Sequence, residues 1–313
     1  MFCWRTVGTH AAGGARTLTL ARTQALARTQ ALARTQTLSR TQAQPARSLT
    51  QAQTPQRPAQ TPTAAFCVIG DEILSGKTQD TNTVELAQQC FALGVDLRKV
   101  DVVPDTTAEI VQSVRQLADA HDVVVTSGGI GPTHDDITYS AIARAFDDRL
   151  EHHEPTLARM RRIMARTGAS VLPDAGGTDA ERACARMALL PATAAVTYPC
   201  DELWVPVVRV RNVHVLPGVP RLFARLLVAY LPLVAAEAGA ASGFVRALVP
   251  TRMRESLLAP ILSRVQEKYA GHGIKVGSYP QWPLHAQTVV SVVGQSAKHV
   301  EACHSELRGL LLD

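Results

Sequence analysis

One stretch of this chain concentrates groups that do chemistry: Thr126-Ser-Gly-Gly-Ile-Gly-Pro-Thr-His-Asp-Asp-Ile-Thr138. Gly128, Gly129 and Gly131 let a backbone approach a ligand closely. Free N–H groups in such a loop, and at a helix start, hold anions such as phosphate. Asp135 and Asp136 are adjacent carboxylates beside that nest. A divalent ion, Mg²⁺, Mn²⁺ or Co²⁺, bridging carboxylate and phosphate oxygens would give both a task. The competing reading is structural: a tight strand-to-helix turn, with Asp136 capping the helix and Asp135 in solvent.

Two further loops carry similar signals. Gly70-Asp-Glu-Ile-Leu-Ser-Gly-Lys77 follows an apolar run and puts Asp71 and Glu72 next to it. Asp80 and Asn82 come shortly after; they either complete a metal and ribose site or cap the next helix. Pro217-Gly-Val-Pro220 is the third loop. Three loops on one sheet edge make a cleft. The expected ligand contacts are Gly70, Asn82, Ser127, Gly128, Gly129, Gly131, Thr133, Pro217 and Gly218. The catalytic candidates are Asp135, Asp136 and Glu72, and the metal candidates are Asp71, Asp135 and Asp136.

The elements around these loops have the pattern of a parallel sheet. Ala64–Ile69 and Val123–Thr126 are short, continuously apolar runs, as buried strands are. Asn82 with Glu85, and Thr106 with Glu109, have the spacing of capping boxes that open helices. Thr138 is placed to cap a third helix, and Pro220 suits the first turn of another. Residues 204–210 and 213–216 read as strands around an Arg211-Asn212 turn. Strand and helix alternate at lengths that demand right-handed crossovers. The expectation is an α/β fold, a three-layer, doubly wound, mostly parallel sheet, over residues 64–240. Strand 244–250, helix 254–270, strands 274–279 and 287–293, and helix 296–311 follow, predicting a small α+β subdomain over 241–313.

Composition narrows the partners. Residues 1–63 hold eight Arg and no acid, which leaves 24 basic and 27 acidic groups, a net of −3, in residues 64–313. The whole chain is only 4% aromatic, and a mildly acidic unit in such a chain is a poor nucleic-acid surface. No apolar stretch is long enough to span a membrane. The six cysteines form no close pair and no metal-ligand spacing, as in a reduced, intracellular chain. Residues 1–63 are a basic, low-complexity tail, in which residues 16–42 repeat a six-residue unit beginning Arg-Thr. A basic, acid-free leader is similar to a mitochondrial transit segment. A six-residue step does not hold one helical face, however, so an untargeted disordered tail competes with that reading. The expected location is the cytoplasm or the mitochondrial matrix, not the secretory path.

GDEILSG (70–76), DTNT (80–83), TSGGIGPTHDDIT (126–138) and LPGVP (216–220) together resemble the MoaB/Mog-type molybdopterin-binding family. RESLLAPIL (254–262) and VGSYPQW (276–282) are similar to the second subdomain of one branch, the N-terminal part of eukaryotic FAD synthase and of CinA-like proteins. The resemblance covers roughly 64–312. It implies a pterin or nucleotide ligand and a homo-oligomer. In the molybdenum-cofactor branch it implies adenylylation of, or metal insertion into, molybdopterin. In the CinA-like branch it implies divalent-metal-dependent hydrolysis of the diphosphate of FAD or ADP-ribose. Asp135 or Asp136 would then be the key carboxylate, with Asp71 and Glu72 lining the cleft. GGIGP in place of a pterin-type GTG loop favours the CinA-like branch. A non-catalytic binding module, and one part of a split FAD-synthase-like system, are the alternatives. With the chain ending at Asp313, FAD synthesis by this chain alone is not expected.

Overall fold

A computed structural model describes residues 61–167, 178–281 and 288–312. Residues 1–60, where the tail and its transit reading fall, lie outside them, as does Cys3. In chain order the elements are β1 (Thr63–Ile69), α1 (Asp71–Leu74), α2 (Asn82–Leu93), β2 (Asp96–Val103), α3 (Thr107–Ala120), β3 (Val123–Ser127), α4 (Thr138–Ala145), β4 (Leu150–His152), α5 (Glu154–Thr167) and α6 (Asp179–Arg186). They continue with β5 (Leu189–Pro191), β6 (Ala195–Thr197), β7 (Val207–Val210), β8 (Val213–Leu216), α7 (Pro220–Glu237), β9 (Val245–Thr251), α8 (Glu255–Ala270), β10 (Lys275–Pro280), β11 (Thr288–Gly294) and α9 (Ala297–Leu311).

The large sheet has the order β2-β1-β3-β8-β7-β6. β2, β1, β3 and β8 are parallel, while β7 and β6 are added antiparallel. Strand alternation sorts β1 between two cores. Ala64, Phe66 and Val68 face Leu86 and Cys90 of α2 and Phe223 and Leu226 of α7. Ala65, Cys67 and Ile69 face Ile110 and Val114 of α3 and Tyr139 and Ile142 of α4. Helices on both faces make three layers, the doubly wound, mostly parallel arrangement that the element order demands. β4 and β5 form a two-stranded ribbon beside it.

The last 70 or so residues build the order β10-β11-β9, all antiparallel. α8 and α9 cover one face, packing Leu258, Val265, Val300 and Leu307 on Val249, Val290 and Val292. The link from the large sheet is tight. A side chain on Gly94, which has φ 75°, would stand 1.9 Å from the Ser242 carbonyl oxygen. One on Gly243 would stand 2.2 Å from that of Ala92.

Several local expectations change. α1 was not anticipated: four residues are too few for a periodic signal. β4, β5 and β6, at three residues each, escape for the same reason. Neither expected capping box forms. The N-cap of α2 is Thr81, without a side-chain bond, and Asn82 lies inside the helix. Thr106 is the N-cap of α3, also without one. Asp80 does the capping at α2: its carboxylate accepts the Thr83 N–H at 3.0 Å, and the Thr83 hydroxyl. Thr138 does not cap α4, whose N-cap is Ile137.

Among the described residues, no helix is long and apolar enough to cross a membrane. Cys67, Cys90, Cys184, Cys200 and Cys303 are free thiols. Burial pushes Cys67 up to about 11 and Cys90 to about 12, so neither is a ready nucleophile.

Candidate functional site

Parallel register brings four strand ends to one edge. Val68 pairs with Ser127, Ser127 with Leu216, and Ile69 with Val103. The loops after β1, β2, β3 and β8 therefore leave side by side, where ligands bind in open α/β sheets.

The glycine loop is held by its own atoms. Gly128 has φ 110°, and a Cβ there would stand 2.1 Å from the Ile69 carbonyl oxygen. Gly129 has φ 62°, and its Cβ would stand 2.3 Å from Thr138 Oγ1. Only glycine fits either place. The fully buried Thr138 donates its hydroxyl to the Gly128 carbonyl at 2.8 Å, and its N–H to that of Gly129 at 2.9 Å. Thr138 is thus the latch of the loop.

Asp136 is the second latch. Its carboxylate accepts the N–H of Gly131 at 2.6 Å and of Thr133 at 2.8 Å, and lies 2.5 Å from the Thr133 hydroxyl. The N–H groups of Gly131 and Thr133 are therefore spent inside the loop. Those of Gly129 and Ile130 make no hydrogen bond among the described residues. Within the glycine run 128–131, the expected anion nest narrows to these two.

Asp135 is placed differently. It is exposed, and the Thr133 hydroxyl, followed by its own backbone N–H, holds its carboxyl below the usual range. Asp71 and Glu72 sit exposed in α1. Between them and the glycine loop stands Asp105, which the sequence reading missed. Asp105 Oδ2 accepts the Asp71 N–H at 3.0 Å. Burial raises its carboxyl, and the nearby charges of Asp71, Glu72 and Asp135 raise it further, against the pull of that N–H. Asp105 thus feels the charges of three other carboxylates, from the loops on either side of it. Among the described residues, no three His, Cys, Asp or Glu side chains gather closely enough to hold a metal ion by themselves.

On the other flank, Asn82 ties the loops together. It is buried, and its amide donates to Ser127 Oγ at 2.8 Å and to the Gly218 carbonyl at 2.9 Å. Ser127 Oγ in turn donates to the Pro217 carbonyl at 3.3 Å. The N–H of Gly70 goes to the Val103 carbonyl at 3.1 Å. Glu72, Asp80, Asn82, Ser127 and Gly218 line a cavity of only ≈ 40 Å³, room for about a water. A nucleotide-sized ligand would lie over these loops rather than inside them. A cation also reaches the loop: Arg186, at the end of α6, donates to the Thr133 carbonyl at 3.3 Å. Nothing in its sequence neighbourhood marks it, because the α6 approach is tertiary.

The structure therefore brings the predicted residues of all three loops to one edge. It separates them into latches (Asp136, Thr133, Thr138, Asn82, Ser127) and outward-facing groups (Asp71, Glu72, Asp135).

The family model described as "Probable molybdopterin binding domain" matches residues 65–236, more than half of the chain. The chain belongs to this molybdopterin-binding domain family. Residues 243–313 match a second model, described as "FAD synthase, middle domain". A "Probable FAD synthase" of Caenorhabditis elegans is 31% identical over 273 residues, 83% of this chain and 51% of that protein. A "CinA-like protein" of Geobacter metallireducens is 35% identical over 167 residues, 52% of this chain and 38% of that one. The chain spans about half the length of the FAD synthase relatives that it matches. Among solved structures, the CinA protein of Thermoplasma acidophilum aligns at 29% identity over 56% of this chain and 98% of that one, with a TM-score of 0.47.

Proposed function

We propose that this member of the molybdopterin-binding domain family hydrolyses the diphosphate of a dinucleotide such as FAD or ADP-ribose, with a divalent cation. The observation that carries the proposal is the gathering of Asp71, Glu72, Asp105 and Asp135 around a glycine run whose Gly129 and Ile130 N–H groups are free among the described residues. The likeness to FAD synthases and CinA-like proteins supports a nucleotide as substrate.

The donor set suits a metal carried in with the substrate. The charges of Asp71, Glu72 and Asp135 raise the proton affinity of Asp105, and negative charge crowded in that way favours a cation. Mg²⁺-type ions take one or two protein carboxylates and complete their shell with phosphate and water oxygens. Asp135 and Asp71 would hold it, leaving Asp105 unligated. When bound, the ion offsets phosphate charge and makes water more acidic.

The chain's own groups divide the remaining work. The N–H groups of Gly129 and Ile130, with the Arg186 guanidinium, bind the phosphates. Environment pushes the two working carboxyls apart, as acid–base sites require. Asp135, held low, stays ionised. Asp105, held high, is the better proton acceptor. Water attacks a diphosphate phosphorus, its proton passes to Asp105, and the bridging P–O bond breaks. The products are AMP and a second phosphate monoester. Asp136 shapes the loop and takes no proton.

The test is AMP release by the full chain from FAD and from ADP-ribose with Mg²⁺, Mn²⁺ or Co²⁺. Asp135→Asn and Asp105→Asn should fold normally and lose about 100-fold or more in turnover. Asp136→Asn should lower the melting temperature as well. No AMP from any combination would overturn hydrolysis. The small cavity and the absence of a three-ligand metal cluster among the described residues favour one second reading, binding without turnover. Calorimetry with the same nucleotides separates the two.

A further inference from the structure

α2 buries Leu86 and Cys90 under the large sheet. Its outer side, with Thr83, Val84, Ala87 and Phe91, meets the face of the small sheet that α8 and α9 leave open. Alternation decides what that face shows. Val249, Val290 and Val292 turn towards α8 and α9, so Arg246, Lys275, Gly277, Tyr279, Ser291 and Val293 turn the other way. Between the two surfaces lies a cleft of ≈ 670 Å³. Small-molecule sites commonly enclose about 300–1,000 Å³.

The cleft is preformed. The close approaches at Gly94 and Gly243 weld residues 242–244 to the end of α2. The Phe244 N–H donates to the Phe91 carbonyl at 2.9 Å, and the two rings lie 5.5 Å apart. Its floor is aromatic and aliphatic. Its charge is lopsided. The Arg246 guanidinium stands 4.7 Å over the Phe91 ring and has no carboxylate partner among the described residues. Among the described residues the cleft's one acid, Asp96, is 4.0 Å from Lys275 and binds Arg98 at 3.0 Å, which leaves the two cations in excess. Tyr279, 58% exposed, lies across Gly277 at the mouth and offers a second ring face.

We infer that this cleft is a second small-molecule site, for a planar aromatic anion. The ring packs on the Val84, Ala87 and Val293 wall, beside the Arg246–Phe91 stack, and the acid group sits between Arg246 and Lys275. Apolar walls supply burial, and the two cations select charge. Only a small ligand profits from both, because the cations stand at the aromatic wall and not along an extended rim. The inference is independent of the hydrolysis proposed above.

The probe is 8-anilinonaphthalene-1-sulfonate, titrated into the full chain and read by fluorescence, with uncharged 1-anilinonaphthalene as its partner. One saturable site is expected, at least tenfold tighter for the sulfonate. Arg246→Glu should weaken it at least tenfold, and Ala87→Trp, which fills the cleft, should remove it. Asp135→Asn should leave it unchanged. Circular dichroism melts check folding; if Ala87→Trp melts early, Val84→Lys replaces it. Equal binding of both probes, or unchanged sulfonate affinity in Arg246→Glu, would overturn the inference. So would sedimentation showing a dimer that Ala87→Trp dissociates, since the cleft would then be a subunit interface.

Discussion

The carboxyl edge of the large sheet and the cleft beside α2 are built on opposite plans. The edge is polar, bent by glycines and locked by its own hydrogen bonds, and it encloses almost no volume. The cleft is apolar, floored by aromatic rings and roomy, with cations set into its wall. Both depend on glycines that bring backbones into contact, Gly128 against Ile69 at one and Gly94 against Ser242 at the other. The difference teaches where chemistry and where shape reside: the edge aims charged groups outward, and the cleft aims surface inward.

Adding a single carbon to each region is the strongest way to break the comparison. Gly128→Ala puts a Cβ into the Ile69 carbonyl at a positive φ, and should cost about 4 kcal/mol and all nucleotide binding. Chemical denaturation with a binding titration checks it. Gly94→Ala, strained in the same way at a helix end, should cost about 3 kcal/mol. It should weaken the sulfonate probe while any nucleotide binding at the edge survives in the folded fraction. Loss of both ligands from either variant would show that the regions are one site.

A group in neither region gives a control. His214, buried against Tyr230, is driven down to about 4 by burial first and by Arg209 next. Unfolded, the ring titrates near 6.5, so between the two values the unfolded chain binds the extra proton. Stability should therefore fall as pH drops from about 6.5 to 4, by up to about 3 kcal/mol. His214→Phe should flatten that slope in urea melts taken across this range, leaving both ligands bound at pH 7. The smallest effect belongs to Asn82→Ala. Two hydrogen bonds are lost, about 2 kcal/mol, and the edge loosens while the cleft keeps its probe. An unchanged melting temperature would show that Asn82 is no tie.

These regions also differ in how far the sequence discloses them. The edge was legible because its residues are consecutive: glycines, adjacent acids and flanking apolar strands stand within single motifs. The fold was legible for the same local reason, down to most strand ends. Side-chain destinations were not. Asn82 and Thr138 have the type and spacing of caps, yet both are drawn into tertiary hydrogen bonds that a spacing rule does not contain. Asp105 stands alone after β2 and gains meaning only from its neighbours across the edge. The cleft had no signature at all. Phe91 and Arg246 come from distant parts of the chain, and an arginine on a strand reads as a solvated charge until the opposite wall is in place.

The ties across the carboxyl edge also have a meaning in time. Ser127 meets Pro217 across 90 residues, and Asn82 meets Gly218 across 136. Closing such long stretches costs chain entropy before any contact repays it. β8 is therefore expected to dock late in folding, after β1, β2 and β3 have paired. A half-folded chain has its glycine loop but no facing wall, so it cannot hold the ligand. Ligand capture should then appear only with the slowest folding phase, and a bound nucleotide would act as a brake on unfolding.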